Sequence, residues 1–241
     1  MAKKTYRNKG SKANIVISIA GAHGVGKTTI FNMLKKKLKN NNKFKFFPER
    51  YVKNPPFPFG SKDKQTSFRS EIHFLQQFIQ RNKNIINFDK NYNGRIIILD
   101  RTPFCVLVYS KSLFLREKDY KLISDMYYSV DWREDYIIYL TATPETIMKR
   151  IIQRGSLEKI RKEWNEDRKD YLQRVLYYYD KLLISKDENN RVHVINTENL
   201  NQEEALLLVE EMISSLTGYS FKKIDKQPPT QMTLMKFIKN S

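Results

Sequence analysis

The chain has 241 residues, 40% of them hydrophobic, with 44 Lys and Arg against 26 Asp and Glu, a formal net charge of +18. That length and apolar share suit one α/β domain with insertions. No apolar run reaches the roughly 18 residues that cross a bilayer, the basic N-terminus lacks the apolar core of a secretion signal, and the single cysteine, Cys105, excludes an intrachain disulfide or a cysteine metal cluster.

In chain order, residues 1–13 read as a basic arm. Residues 14–20, NIVISIA, are a short apolar, β-branched run suited to a buried parallel strand. Residues 21–28, GAHGVGKT, follow and fit G-x-x-x-x-G-K-[ST], the phosphate-binding P-loop. Residues 29–38 set Ile30, Phe31, Leu34 and Leu38 on one side of a helix. The glycines therefore sit between strand and helix, where backbone N–H groups and a helix N-terminus wrap an anion. Gly21, Gly24, Val25, Gly26, Lys27, Thr28 and Thr29 are the expected contacts of a donor nucleotide, with Lys27 on its terminal phosphates and the Thr28 hydroxyl on Mg²⁺.

A short strand at 44–47 ends at Pro48-Glu49-Arg50, and the segment after it, with Pro55, Pro56, Pro58 and Gly60, is a loop. A helix is expected over 66–88, with Phe74, Leu75, Phe78, Ile85 and Ile86 as its apolar positions. Asn93-Gly94 breaks it, and RIIILD gives another buried strand ending in Asp100-Arg101. Residues 104–114 and 120–128 are helical candidates. Residues 135–140 form a fourth strand, after which Thr143 caps a helix with Pro144 at its first position. That helix runs to about Arg154, and a charged stretch follows from Gly155. A long helix over 166–183, a fifth strand over 191–195 and an amphipathic helix over 202–216 complete the pattern, leaving 217–241 as a tail. Alternation of strands and helices predicts a P-loop fold, a five-stranded parallel sheet covered on both faces, within one domain over 14–216. Ligands of such sheets bind beyond the carboxyl ends of the strands, where Gly21, Glu49 and Asp100 all fall.

Asp100 is placed to hold the Mg²⁺ shell, and Arg101 to contact acceptor-side oxygens; a strand-end salt bridge is the plain alternative. A carboxylate at Glu49 suits a general base for a substrate hydroxyl. Arg150 and Arg154 share a helical face, and Arg161 lies in the charged stretch, a set able to close over phosphates.

Together, the P-loop, Pro-Glu-Arg, Asp-Arg-Thr and RIIQRG before a charged stretch resemble the deoxynucleoside kinase and thymidylate kinase superfamily, as does YLQRVLYYYDKLL later in the chain. The likeness spans about residues 14–216. It implies ATP as donor, a nucleoside-like acceptor, a helical lid over about 155–165, Glu49 as base, and Arg101, Arg150 and Arg154 on the phosphates. It also implies acceptor contacts from Arg81 and from a glutamine on the same helix, for which Gln76 and Gln77 stand nearby, Gln77 being the candidate, while Phe74 occupies about the expected place. Pro-Glu-Arg-Tyr and Asp-Arg-Thr depart from the Arg-Glu-Pro-Gly and Asp-Arg-Tyr or Asp-Arg-His of thymidylate kinases, which favours a nucleoside over a nucleoside monophosphate acceptor. The alternatives are a thymidylate-type kinase and a nucleic-acid-associated nucleotide-binding protein, the latter drawing on the basic charge. A homodimer and a cytoplasmic location complete the expectations.

Overall fold

The computed structural model describes residues 13–49, 63–153, 168–187 and 189–221. The expected arm (all but its last residue), the lid, the tail beyond 221, and Arg50, Arg154 and Arg161 lie outside the described residues.

Five strands, β1 (Ile15–Ala20), β2 (Phe44–Phe47), β3 (Ile96–Asp100), β4 (Tyr136–Thr141) and β5 (Val192–Asn196), form one sheet in the order β2-β3-β1-β4-β5. Every pairing is parallel. The central strands are the most continuously apolar, and β3 is buried along its whole length, as expected of strands covered on both faces. Alternation assigns their side chains: Ile97 and Leu99 pack with Val16 and with Ile85 of the helix α2 (Lys64–Asn91), while Ile96 and Ile98 join the main core with Phe31 and Leu34 of α1 (Lys27–Lys37).

The remaining helices are α3 (Cys105–Ser112), α4 (Glu117–Tyr128), α5 (Pro144–Gln153), α6 (Lys169–Tyr179) and α7 (Gln202–Thr217). Helix α2 starts earlier than its apolar pattern because the Asp63 carboxylate accepts from the Thr66 N–H at 2.7 Å and caps it. Thr143 does cap α5, its hydroxyl accepting from the Thr146 N–H at 3.3 Å. The long helix expected over 166–183 is α-helical only in α6 and then loosens into a π-turn, Asp180–Ile184, in which Ser185 N–H reaches back five residues to the Asp180 carbonyl at 2.9 Å. Helix α7 carries a full capping box between Asn201 and Glu204 and stops at Gly218 in the left-handed conformation. Beyond it, Tyr219 and Phe221 pack on Phe44, so the first residues of the tail lie against β2.

Register fixes where the chemistry gathers. Ile19 is opposite Asp100, Leu99 is opposite Phe47, and Ala20 is opposite Tyr139. The turns after β1, β2 and β3 therefore leave the sheet at one edge.

Candidate functional site

The loop after β1 depends on its glycines at two close approaches. Gly21 has φ 138°, and a Cβ there would stand 2.4 Å from the Leu140 carbonyl oxygen. Gly24 has φ 78°, and a Cβ there would meet Ile151 of α5 at 2.6 Å. The loop delivers Lys27 to the first turn of α1, where it is only 5% exposed and its Nζ donates to the Ala22 carbonyl at 2.7 Å. Burial, with Arg101 adding repulsion, pushes the Lys27 ammonium down to about 7. A buried cation held near neutrality is one that an incoming polyanion restores to full charge.

The next residue, Thr28, donates its hydroxyl to Asp100 Oδ2 at 3.1 Å across the β1–β3 edge. Asp100 Oδ1 is buried and has no hydrogen-bond partner among the described residues. A hydroxyl and a carboxylate side by side, with one oxygen unspent, suit a hard cation such as Mg²⁺, which completes its shell with phosphate and water.

Beside this pair stands Arg101. It turns out of β3 with φ 67°, its N–H held by the Ile19 carbonyl at 3.1 Å. Its Nε lies 3.0 Å from Glu49 Oε1, just past the end of β2. Burial raises the Glu49 carboxyl above its usual range, and Arg101 opposes the shift. Burial likewise works against the charge of Arg101, but Glu49 together with Tyr109, Cys105 and Tyr179 outweighs it and holds the guanidinium charged. Arg101 also stands over the Tyr109 ring at 5.9 Å, and the Tyr109 hydroxyl accepts from the His23 N–H of the P-loop at 3.1 Å. Thr102 fixes the turn from both sides: its hydroxyl donates to the buried Glu134 at 3.1 Å and accepts from the Phe104 N–H at 3.2 Å. Glu134 in turn accepts from Ser18 of β1.

Arg81 is bonded to the end of β3. Its guanidinium donates to the carbonyls of Asp100 at 2.6 Å and Arg101 at 2.7 Å, and the residue is 2% exposed. These bonds give Arg81 the task of holding the end of β3 in place. Gln77 is half-buried and lies to the side of the stripe that α2 buries. The residue on that stripe is Glu71, fully enclosed and pushed up to about 8 by burial. Sequence reading passed over it, although a glutamate in the i, i+4, i+7 register with Leu75 and Phe78 was a visible signal.

Arg150 is likewise bonded within the protein. It projects from α5 and donates to the Thr197 hydroxyl at 2.9 Å, to the Thr197 carbonyl, and more distantly to the Val25 and Leu200 carbonyls. It thereby ties the P-loop to the turn after β5 and forms one wall of a cleft of about 410 Å³, lined also by Gly26, Thr29, Thr197, Leu200 and Gln202. That volume lies in the usual range for a small-molecule site. The same turn is pinned to the start of α5 by Glu198, which accepts from the Thr143 N–H at 2.6 Å and from its hydroxyl at 2.8 Å. Val25, Gly26 and Thr29 thus share one cleft, and Lys27, Thr28, Asp100, Arg101 and Glu49 share the strand edge beside it.

Residues 17–216 match the family model described as deoxynucleoside kinase. A deoxyadenosine/deoxycytidine kinase of Bacillus subtilis (strain 168) is 28% identical over 162 residues, covering 64% of this chain and 73% of the relative. The structure of deoxyadenosine kinase from M. mycoides with the products dCMP and a flexible dCDP bound superposes with a TM-score of 0.66 at 24% identity, covering 84% of this chain and all (100%) of that one. The same enzyme with bound dATP gives a TM-score of 0.63 at 24% identity, covering 82% of this chain and 98% of that one. At that identity the structural likeness speaks to the fold, and the family match carries the activity. The chain belongs to the deoxynucleoside kinase family, and it is a nucleoside phosphotransferase.

Proposed function

We propose that the protein transfers the γ-phosphoryl group of ATP to the 5′-hydroxyl of a deoxynucleoside, with Glu49 as general base. The observation that carries this reading is the half-buried Glu49–Arg101 pair at 3.0 Å, set at the same strand edge as Lys27 and Asp100. Glu49 takes the hydroxyl proton as the acceptor oxygen bonds to phosphorus and the bond to the departing ADP oxygen breaks. Burial raises its pKa and so makes it a better proton acceptor than an exposed carboxylate, while Arg101 favours its ionised form. Arg101 steadies the acceptor-side oxygens, and Lys27 with the P-loop amides holds the donor phosphates. The donor's base and ribose fit the cleft that Arg150 walls. Mg²⁺ fits Thr28 and Asp100, and when bound it neutralises phosphate charge.

The Bacillus subtilis relative is named for deoxyadenosine and deoxycytidine, which makes these two the first acceptors to try. The single cysteine is buried and free, which suits the reducing cytoplasm. The test is ATP consumption with deoxynucleosides, their monophosphates and short oligonucleotides, with and without Mg²⁺. Phosphorylation of a deoxynucleoside at its 5′-oxygen is the expected result. Turnover confined to monophosphates moves the assignment to the thymidylate type, and no turnover on any of them overturns it.

A further inference from the structure

Three polar groups beside the acceptor side lack partners. Glu71 on α2 is 5% exposed and makes no hydrogen bond or ion pair with any described residue. The Ser70 hydroxyl on α2 and the Ser110 hydroxyl on α3 are likewise buried without a hydrogen-bond partner among the described residues. Helices α2 and α3 pack together, and α3 packs on α6. The charged and titratable groups around Glu71 are Arg101 at the end of β3, Cys105 on α3 and Tyr171 on α6; Arg101 is the one that acts on the carboxyl itself. Arg101 is already paired with Glu49. A buried carboxyl left unbonded is costly, and a ligand that bonds it recovers that cost.

We propose, resting on the deoxynucleoside reading above, that Glu71 reads the acceptor's base as a neutral carboxylic acid. Its O–H donates to a ring nitrogen, and its carbonyl accepts from the adjacent exocyclic amino group. Adenine (N1 and N6) and cytosine (N3 and N4) both present that pair. Guanine presents two donors on the same edge, and thymine presents a ring N–H between two carbonyls. A ring nitrogen is a more basic acceptor than a carbonyl oxygen, so the acid favours the amino-bearing pair. Burial supports the neutral form, since it pushes this carboxyl up to about 8. Once ionised, Glu71 offers only acceptors: it repels the ring nitrogen and suits the two donors of guanine. Glu71 is thus a specificity-determining residue, and its proton sets which base is taken.

The experiment is kcat/KM for deoxyadenosine, deoxycytidine, deoxyguanosine, thymidine and 1-deaza-2′-deoxyadenosine, across the pH range on both sides of neutrality, for wild type, Glu71→Gln and Glu71→Ala. In wild type, kcat/KM for deoxyadenosine falls up to about tenfold per pH unit above about 8, while that for deoxyguanosine rises. Glu71→Ala loses on the order of 10- to 100-fold with amino-bearing acceptors, mainly through KM. Glu71→Gln, which also carries one donor face and one acceptor face, rescues that loss and lacks the alkaline fall. The 1-deaza analogue loses its disadvantage in Glu71→Ala. An alkaline fall retained in Glu71→Gln, or base preference unchanged in Glu71→Ala, overturns the proposal while leaving the kinase reading intact. A wild type that phosphorylates no deoxynucleoside overturns both.

Discussion

Replacing Glu49 with Gln tests the chemistry while sparing the geometry. The amide keeps the size of the carboxylate, which lies 3.0 Å from Arg101 Nε. What disappears is the negative charge and the capacity to take a proton. A positioned general base is worth roughly 10²- to 10⁴-fold, and the predominantly electrostatic character of phosphoryl transfer places the loss in the lower half of that range. Stability should fall as well. Removing the charge of one partner of a half-buried ion pair should cost roughly 1 to 3 kcal/mol. The sign of the pH effect follows from burial, which raises the Glu49 carboxyl. The base works only when ionised, so wild-type kcat/KM climbs as pH rises through that raised value, and the variant loses this acid limb. The assay is steady-state turnover on the best deoxynucleoside against pH, with ATP affinity by calorimetry and thermal melts alongside. Near-wild-type turnover with the acid limb intact refutes the assignment, and a lost ATP affinity moves Glu49 into the donor or metal shell instead.

Lys27→Ala removes the buried donor to the phosphates and should reduce turnover by at least about 10³-fold with an unchanged circular dichroism spectrum. Asp100→Asn keeps the partner of Thr28 but removes the carboxylate charge that attracts a divalent cation, so saturation should require roughly tenfold more Mg²⁺ in a titration of turnover. Arg150→Ala frees the turn after β5 from the P-loop and should raise the KM for ATP about three- to tenfold while kcat changes little. Arg81→Ala strips two buried carbonyls of their donors at 2.6 and 2.7 Å; melting should drop by roughly 10 °C, from a loss of about 3 to 5 kcal/mol, with activity failing only through stability.

The fold was legible because its signals are local. Strand runs such as IIILD and the P-loop between strand and helix each stand on a few adjacent residues. Element ends were less legible where a side chain outside the apolar pattern decides them, as Asp63 does for α2. The nature of the strand edge was readable, since Gly21, Glu49 and Asp100 each follow a strand. The tasks of the arginines were not. Arg81 and Arg150 carry the same charge as Arg101, and only three-dimensional contact shows that the first two bond backbone carbonyls while Arg101 pairs with Glu49. Glu71 escaped for the opposite reason: a carboxylate is ordinarily read as solvent-facing, which outweighed its place in the apolar register of α2 until its burial marked it.

The site's charges are bonded to the protein itself, and this constrains how substrates enter. Lys27 donates to Ala22, Thr28 to Asp100 and Arg150 to Thr197, while Arg101 pairs with Glu49. Substrate groups that use Lys27 or Arg101 must exchange for bonds already made, so net affinity is the difference between two satisfied states and not the sum of new contacts. The exchange is unequal along the site. Lys27 is held by a neutral carbonyl and pushed down to about 7, so a triphosphate gains both a stronger bond and a restored charge there. Arg101 is held by a carboxylate, and an acceptor oxygen alone does not outbid it. Donor phosphates should therefore displace their protein partner readily, while the acceptor hydroxyl inserts beside an ion pair that persists. A persistent pair keeps Glu49 oriented toward Arg101 until the proton is transferred, and that orientation is what a base at this position requires.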